Sequence, residues 1–337
     1  MRPTYGSVPG LGAPMPRIIV GTDRVQTRLW RVLPARRARR AWSKLFDAAL
    51  DMGCTAFDTA CSYRGGDPEH LLGSWLGESA TRHEVLIVTK GGMPRPGRPP
   101  GLSPEAVTAD LETSLRRLRR DSVDLYLLHR DHPDADVAAL VEALASHHRA
   151  GKIKAYGFSN WELARVASAV AEARSRGLPP PSAVSPQLSL ASWSAAPWKG
   201  LTSLSGTEAE AGASREWVRA QGLAVLAYSP LGRGFFGLTT RANLATRGPR
   251  EARWQAAYDS PANFARLARA QELARAKGTT TPEVALAYVL GQPCNTFAVV
   301  GVKDAEKLAA CVSACHLTLT AAEMRWLETG VHQPDGR

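Results

Sequence analysis

The sequence predicts an α/β fold of one particular kind, a single-domain (β/α)8 TIM barrel built on a closed sheet of eight parallel strands. Three observations carry that expectation. Short apolar runs alternate with helix-period segments eight times along the chain. The links between successive runs have the length of helical crossovers, which parallel strands require and hairpins do not. No G-x-G-x-x-G turn follows the first run, which disfavours an open Rossmann-type sheet, and 337 residues suit a barrel core of about 250 residues with insertions. The barrel is expected to take up residues 1–337, with residues 1–16 as a loose leader.

Ile18, Ile19 and Val20 make the first strand, ended by Gly21. Ala38 to Met52 fits a helix with Leu45, Phe46, Ala49 and Leu50 on one face,, closed by Gly53 as a C-cap glycine. The second strand ends at Asp58, and a helix with Pro68 and Glu69 near its start runs to about Leu76. Val85 to Val88 make the third strand, ending at Thr89 and Lys90 before the loop GGMPRPGRPPG, too rich in Gly and Pro for regular structure,. Ser103 and Pro104 start the next helix as N-cap and first helical residue,. The fourth strand, Val123 to Leu128, ends at His129, and Asp136 opens the helix after it. Ile153 to Phe158 form the fifth strand, ending at Ser159 and Asn160, and Trp161 to Arg176 is helical in pattern. Val184 to Leu188 form the sixth, followed by a long loop from about Ala191 to Gly212, of the kind often tied to function. Leu223 to Tyr228 form the seventh, followed by SPLGRGFFG and a loop to about Pro261. Helices fit Phe264 to Ala276 and Thr281 to Leu290, and Phe297 to Val300 form the eighth strand, ending at Gly301. Asp304 caps a helix to about Ala314, and a last helix lies around Ala321 to Gly330.

Composition narrows the class. Apolar residues make up 44% of the chain, enough for a large core, yet none of its apolar runs reaches a membrane span,. The opening MRPTYGSVPGLGAPMPR lacks the apolar block of a signal peptide,, so a cytoplasmic location is expected. Five cysteines without a CxxC argue against both a disulfide framework and a zinc site,, and no metal is expected. The net charge of +11 is partly concentrated in Arg36, Arg37, Arg39 and Arg40. Apart from Trp42 this run lacks the interleaved aromatics that stack on bases,, so it reads as a solvated helix face rather than a nucleic-acid site. Positive charge also suits a phosphate-bearing cofactor.

In a barrel, chemistry gathers at the C-terminal ends of the strands. The residues there read Asp58, Lys90, His129, Ser159, Asn160, Gln187 and Tyr228, with Tyr63 in a Gly-rich turn just past the second strand. Each alone has a plain structural reading: a capping acid, a snorkelling lysine, a satisfied core histidine. An acid, a phenol, an amine and an imidazole at the ends of strands two, three and four argue jointly for a proton-transfer site.

The sequence resembles the aldo-keto reductase superfamily through FDTACSY, IVTKGG, DLYLLHRD, GKIKAYGFSNW, SPQLSLA, AYSPLGRGFF and ALAYVLGQPCNTFAVVGVKDAEKL, which keep the family's order from about Ile18 to Ala314. LLHRDHP and SPQLSLA most resemble a bacterial subgroup. The resemblance implies an NADP(H)-dependent reductase of small-molecule carbonyls with a tetrad of Asp58, Tyr63, Lys90 and His129. In it Tyr63 is the general acid, Lys90 lowers its pKa, Asp58 holds Lys90, and His129 donates to the carbonyl. It implies cofactor binding by Ser159, Asn160 and Gln187 at the carboxamide, Tyr228 under the ring, Ser229 and Leu231 at the pyrophosphate, and Gly301, Lys303 and Lys307 at the adenosine end. Cys311 stands where many relatives have an Asn that contacts adenine, and Lys307 where Gln is common. Trp30, Trp161 and Trp193 are candidate walls of the substrate pocket. Reduction of C=N or C=C bonds in a biosynthetic pathway, or nucleotide binding by a redox-sensing regulatory barrel, stay open as alternatives, as does the oligomeric state.

Overall fold

The computed structural model describes residues 1–25, 35–78, 84–93, 102–238 and 249–331. Trp30 and most of the GGMPRPGRPPG loop lie outside the described residues. Two short strands come first, β1 (Tyr5–Gly6) and β2 (Met15–Pro16), paired antiparallel. The barrel strands are β3 (Ile18–Gly21), β4 (Ala56–Asp58), β5 (Leu86–Gly91), β6 (Val123–Leu128), β7 (Ile153–Ser159), β8 (Ala183–Ser185), β9 (Ala224–Tyr228) and β10 (Asn295–Val300). Neighbours pair in parallel, and β10 pairs with both β9 and β3, which closes the sheet. Around it lie α1 (Ala35–Asp51), α2 (Asp67–Leu76), α3 (Pro104–Leu118), α4 (Val137–Arg149), α5 (Leu163–Ser175), α6 (Glu208–Ala220), α7 (Pro249–Tyr258), α8 (Pro261–Ala276), α9 (Thr281–Leu290), α10 (Ala305–Ala314) and α11 (Ala321–Thr329). The expected caps form: Ser103, Asp136 and Asp304 each accept from the first-turn amides of α3, α4 and α10, and Gly53 takes φ 82 after α1.

The core has two layers. Ile19, Ala56, Val88, Leu125, Leu127, Ala155, Ala183, Leu226 and Phe297 fill the barrel interior. Their strand neighbours, such as Ile18, Phe57, Ile87, Tyr126 and Phe158, pack outward against the helices. This period of two decides what reaches the mouth. Counting on by twos from the interior residues gives Asp58 after Ala56, Lys90 after Val88, His129 after Leu127, and Tyr228 after Leu226. The same parity gives Ser159 on β7 and Gln187 past β8. The apolar register that fills the barrel thus aims the polar residues into its upper opening.

The leader departs from expectation. Residues 1–16 are not loose, because the β1–β2 hairpin sets Val8 and Met15 into the interior layer, both buried, with Leu11 packed against them. The hairpin covers the lower end of the barrel, where apolar interior residues would otherwise meet water. Two loops also hold more helix than the pattern suggests. α6 begins inside the stretch expected to be loop, and α7 lies in the segment read as loop before Pro261. The α7 sequence PREARWQAAY is mostly polar, and its stripe is short, with Trp254, Ala257 and Tyr258 buried. The sixth strand stops at Ser185, and Gln187 is held by isolated bridges to Ser203 and Tyr228.

Candidate active site

Asp58 ends β4, and its carbonyl accepts from both the amide and the hydroxyl of Thr22 at 2.9 Å. Lys90 Nζ donates to the two Asp58 carboxylate oxygens at 2.7 and 2.6 Å and to the Thr59 carbonyl at 3.0 Å. Both side chains are buried. The same ammonium donates to the Tyr63 hydroxyl at 3.3 Å. Tyr63 opens a tight turn in which Arg64, Gly65 and Gly66 take φ 47, 68 and 93. Gly66 is required here. Besides its left-handed backbone, a Cβ would stand 2.2 Å from Cζ of Arg117, whose guanidinium donates to the Cys61 carbonyl at 2.8 Å and the Glu69 carboxylate at 3.0 Å. Cys61 is therefore a buried part of the brace beneath the turn. The His129 ring meets the Tyr63 ring edge-on at 5.4 Å and 74°, and its Nδ1 lies 3.2 Å from the Ser62 hydroxyl. The structure brings all four sequence-predicted tetrad residues together.

Burial pushes the Tyr63 hydroxyl well above the ordinary tyrosine value, and Asp58 and Asp23 push the same way. Arg233 and Arg130 pull it down. Burial also raises the Asp58 carboxyl, with Lys90 pulling it back.

On the opposite side of the mouth, Asn160 takes φ 56 and acts as a hub. Its Oδ1 accepts from the Tyr228 hydroxyl at 2.7 Å and the Thr202 amide at 3.3 Å, and its Nδ2 donates to Ser159 Oγ at 3.0 Å and the His129 carbonyl at 3.4 Å. Gln187 is buried, donating to Ser189 and Tyr258 and accepting from Ser203 and Ser205. Past β9, Ser229, Gly232, Arg233 and Gly234 take φ 52, 56, 54 and 92, and Leu231 lies between them at φ −100. Repeated left-handed residues curl a chain into an amide-lined concavity suited to anions. It sits where barrels commonly hold phosphate, after strands seven and eight. The adjacent loop past β10 presents Gly301 and Lys303 in the open, and Lys307 donates to Asp304 at 2.6 Å. The donor set suits the phosphates of a dinucleotide.

Cys311 is buried in the outer core layer. Trp161 is buried there too, stacked on Phe158 at 4.3 Å, and borders a cavity of about 370 Å³ with Thr202 and Ser203. Trp193 packs 5.8 Å from Trp254, whose other neighbours are Trp198 at 5.0 Å and the Arg233 guanidinium at 4.8 Å. Sequence reading missed Asp23, Arg130, Arg233 and Tyr258. Arg130 and Arg233 both lie inside quoted motifs, LLHRD and SPLGRG, and their position beside the strand ends was the available signal. Among the described residues no cluster of three or more His, Cys, Asp or Glu could hold a metal ion, and no helix is long and apolar enough to cross a membrane.

The fold and mouth are those of a closed parallel (β/α)8 barrel with its polar residues gathered at the C-terminal ends of the strands. The chain belongs to the aldo/keto reductase family, whose model matches residues 17–329. It is 30% identical over 288 residues to aldo-keto reductase str7 of Strobilurus tenacellus, covering 83% of this chain and 78% of that one. It is 28% identical to the aldo-keto reductase yakc [NADP(+)] of Schizosaccharomyces pombe, covering 82% and 78%. Among solved structures, the glycerol dehydrogenase of Gluconobacter oxydans superposes with a TM-score of 0.76 at 23% identity, covering 96% of this chain and 93% of that one, which bears on the fold alone.

Proposed function

We propose that this protein reduces an aldehyde or ketone with NADPH, with Tyr63 as general acid. The observation that carries the reading is the contact chain from Asp58 through Lys90 to the Tyr63 hydroxyl, with the His129 ring against Tyr63. Tyr63, held protonated by burial, gives its proton to the carbonyl oxygen as that oxygen gains charge. Lys90 stands behind Tyr63 to steady the phenolate left at that moment, and Asp58 keeps the ammonium charged and fixed. His129 donates to the carbonyl oxygen from the other side, so the oxygen meets two donors set in advance.

When bound, the reduced nicotinamide supplies the hydride. Ser159, Asn160 and Gln187 would hold its carboxamide and Tyr228 its ring, Ser229 and Leu231 the pyrophosphate, and Gly301, Lys303 and Lys307 the adenosine end. NADPH is preferred over NADH because Lys303 and Lys307 flank the N-terminus of α10, where charge and helix dipole favour a further phosphate. The NADP(+) in the name of the fission-yeast relative agrees.

The test is Tyr63→Phe, assayed with a panel of aldehydes and ketones and with a fluorescence titration of both cofactors. The expected result is a loss of turnover of about 10²–10⁴-fold with NADPH affinity unchanged and tighter than that for NADH. Wild-type turnover in the variant would overturn the role of Tyr63, and tighter NADH binding would overturn the cofactor choice.

A further inference from the structure

We infer that Arg130 is a specificity-determining residue that grips a carboxylate on the substrate, so that the compounds reduced are carbonyls bearing an acid group. This rests on the reductase reading above and names its substrate class.

Arg130 directly follows His129, whose backbone is fixed by its amide to the Gly91 carbonyl at 2.8 Å and by Asn160 Nδ2 to its own carbonyl at 3.4 Å. The guanidinium therefore starts from a rigid point on the rim above β6. It reaches across β7 to the long loop after β8, where Nη1 donates to the Lys199 carbonyl at 3.1 Å and lies beside Gly200. Half-buried there, it loses solvation, and among the described residues no carboxylate pairs with it. The acid next in sequence is engaged elsewhere, Asp131 with Arg165 at 2.8 Å. A partly desolvated guanidinium held by one backbone carbonyl keeps most of its donor fork for another anion.

Its charge bears on the candidate site. Arg130 acts electrostatically on the hydroxyls of both Tyr63 and Tyr228. The other cation that both tyrosines feel, Arg233, is engaged with Asp23 at 4.0 Å and lies over Trp254, beside the loop suited to cofactor phosphates. Arg130 follows His129 at the end of β6, and the loop it holds at Lys199 also gives the Thr202 amide to Asn160 Oδ1, which accepts from the Tyr228 hydroxyl at 2.7 Å. A substrate carbonyl at Tyr63 with a carboxylate directed toward β6 would give Arg130 a bidentate partner. The net charge of +11 would also draw such anions inward.

The experiment compares kcat/KM for two acids, succinic semialdehyde and para-carboxybenzaldehyde, each against its own methyl ester, in wild type, Arg130→Met and Arg130→Lys. Wild type is expected to favour at least one acid over its ester by about ten-fold or more, the usual scale for a charged hydrogen-bonded pair. Arg130→Met should lose that preference, the fall on the acid exceeding any change on its ester by about ten-fold, and Arg130→Lys should recover part of it. No preference in wild type, or an equal loss on acid and ester, overturns the inference and leaves Arg130 as a pin for the Lys199 loop. Failure of the reductase reading looks different, since wild type would then turn over neither acids nor esters. In that case calorimetric binding of benzoate decides: uptake by wild type and not by Arg130→Met supports the carboxylate site, and equal behaviour removes it.

Discussion

Lys90 and Asp58 hold each other at 2.6 Å with both side chains almost fully buried, and neither has a substitute partner of opposite charge within the contacts that fix them. An ion pair in such a place adds little net stability, but half of one is costly. Lys90→Met is therefore expected to destabilise the fold by about 3–5 kcal/mol, because the Asp58 carboxylate is left buried without its cation. The double variant Lys90→Met with Asp58→Leu should regain most of that loss while remaining inactive. Urea denaturation monitored by tryptophan fluorescence reads both. A single variant as stable as wild type would mean that water reaches Asp58 and that the site is wetter than its packing implies.

The elements divide by how local their cause is. Strands that are apolar on both faces and helices with a stripe and a cap could be read from sequence because their signals lie within a few residues. The parity that aims Asp58, Lys90, His129 and Tyr228 upward was equally legible once eight strands were counted. The leader was not, since a segment of Gly and Pro shows no periodicity and its order comes from the barrel end it covers. Arg130 was passed over for a similar reason: only tertiary structure carries its side chain to the Lys199 carbonyl, 69 positions away. The leader's role is measurable. Met15 is fully buried among interior residues, so Met15→Ala should cost about 2–5 kcal/mol, as for other large-to-small changes in a core. A cost within the range of surface substitutions, about 0.5 kcal/mol, would mean that the hairpin rests on the barrel without filling it.

Across the whole molecule, burial of groups that ionise at high pH sets an alkaline limit. Burial pushes the thiols of Cys54 and Cys311 from 9.0 up to about 12, with nearby cysteines adding to the push. It takes the Tyr258 phenol from 10.0 up to about 12, against smaller opposing hydrogen bonds. Each of these is neutral when protonated, and each folded value lies above the unfolded one. Their contribution to stability is therefore complete below about pH 9 and is lost as pH climbs toward about 12, because over that window the unfolded chain releases protons that the folded chain keeps. Each group titrating in the window steepens the fall by about 1.4 kcal/mol per pH unit. Urea midpoints should accordingly hold steady from neutral pH to about 9 and then drop. In Cys54→Ala, which removes one titrating thiol, the drop should be shallower even if the midpoint at neutral pH is lower. A midpoint that stays flat through pH 11 would show that these groups ionise in the folded state with ordinary affinity, and that the two core layers admit more water than a closed barrel sealed below by its own hairpin should.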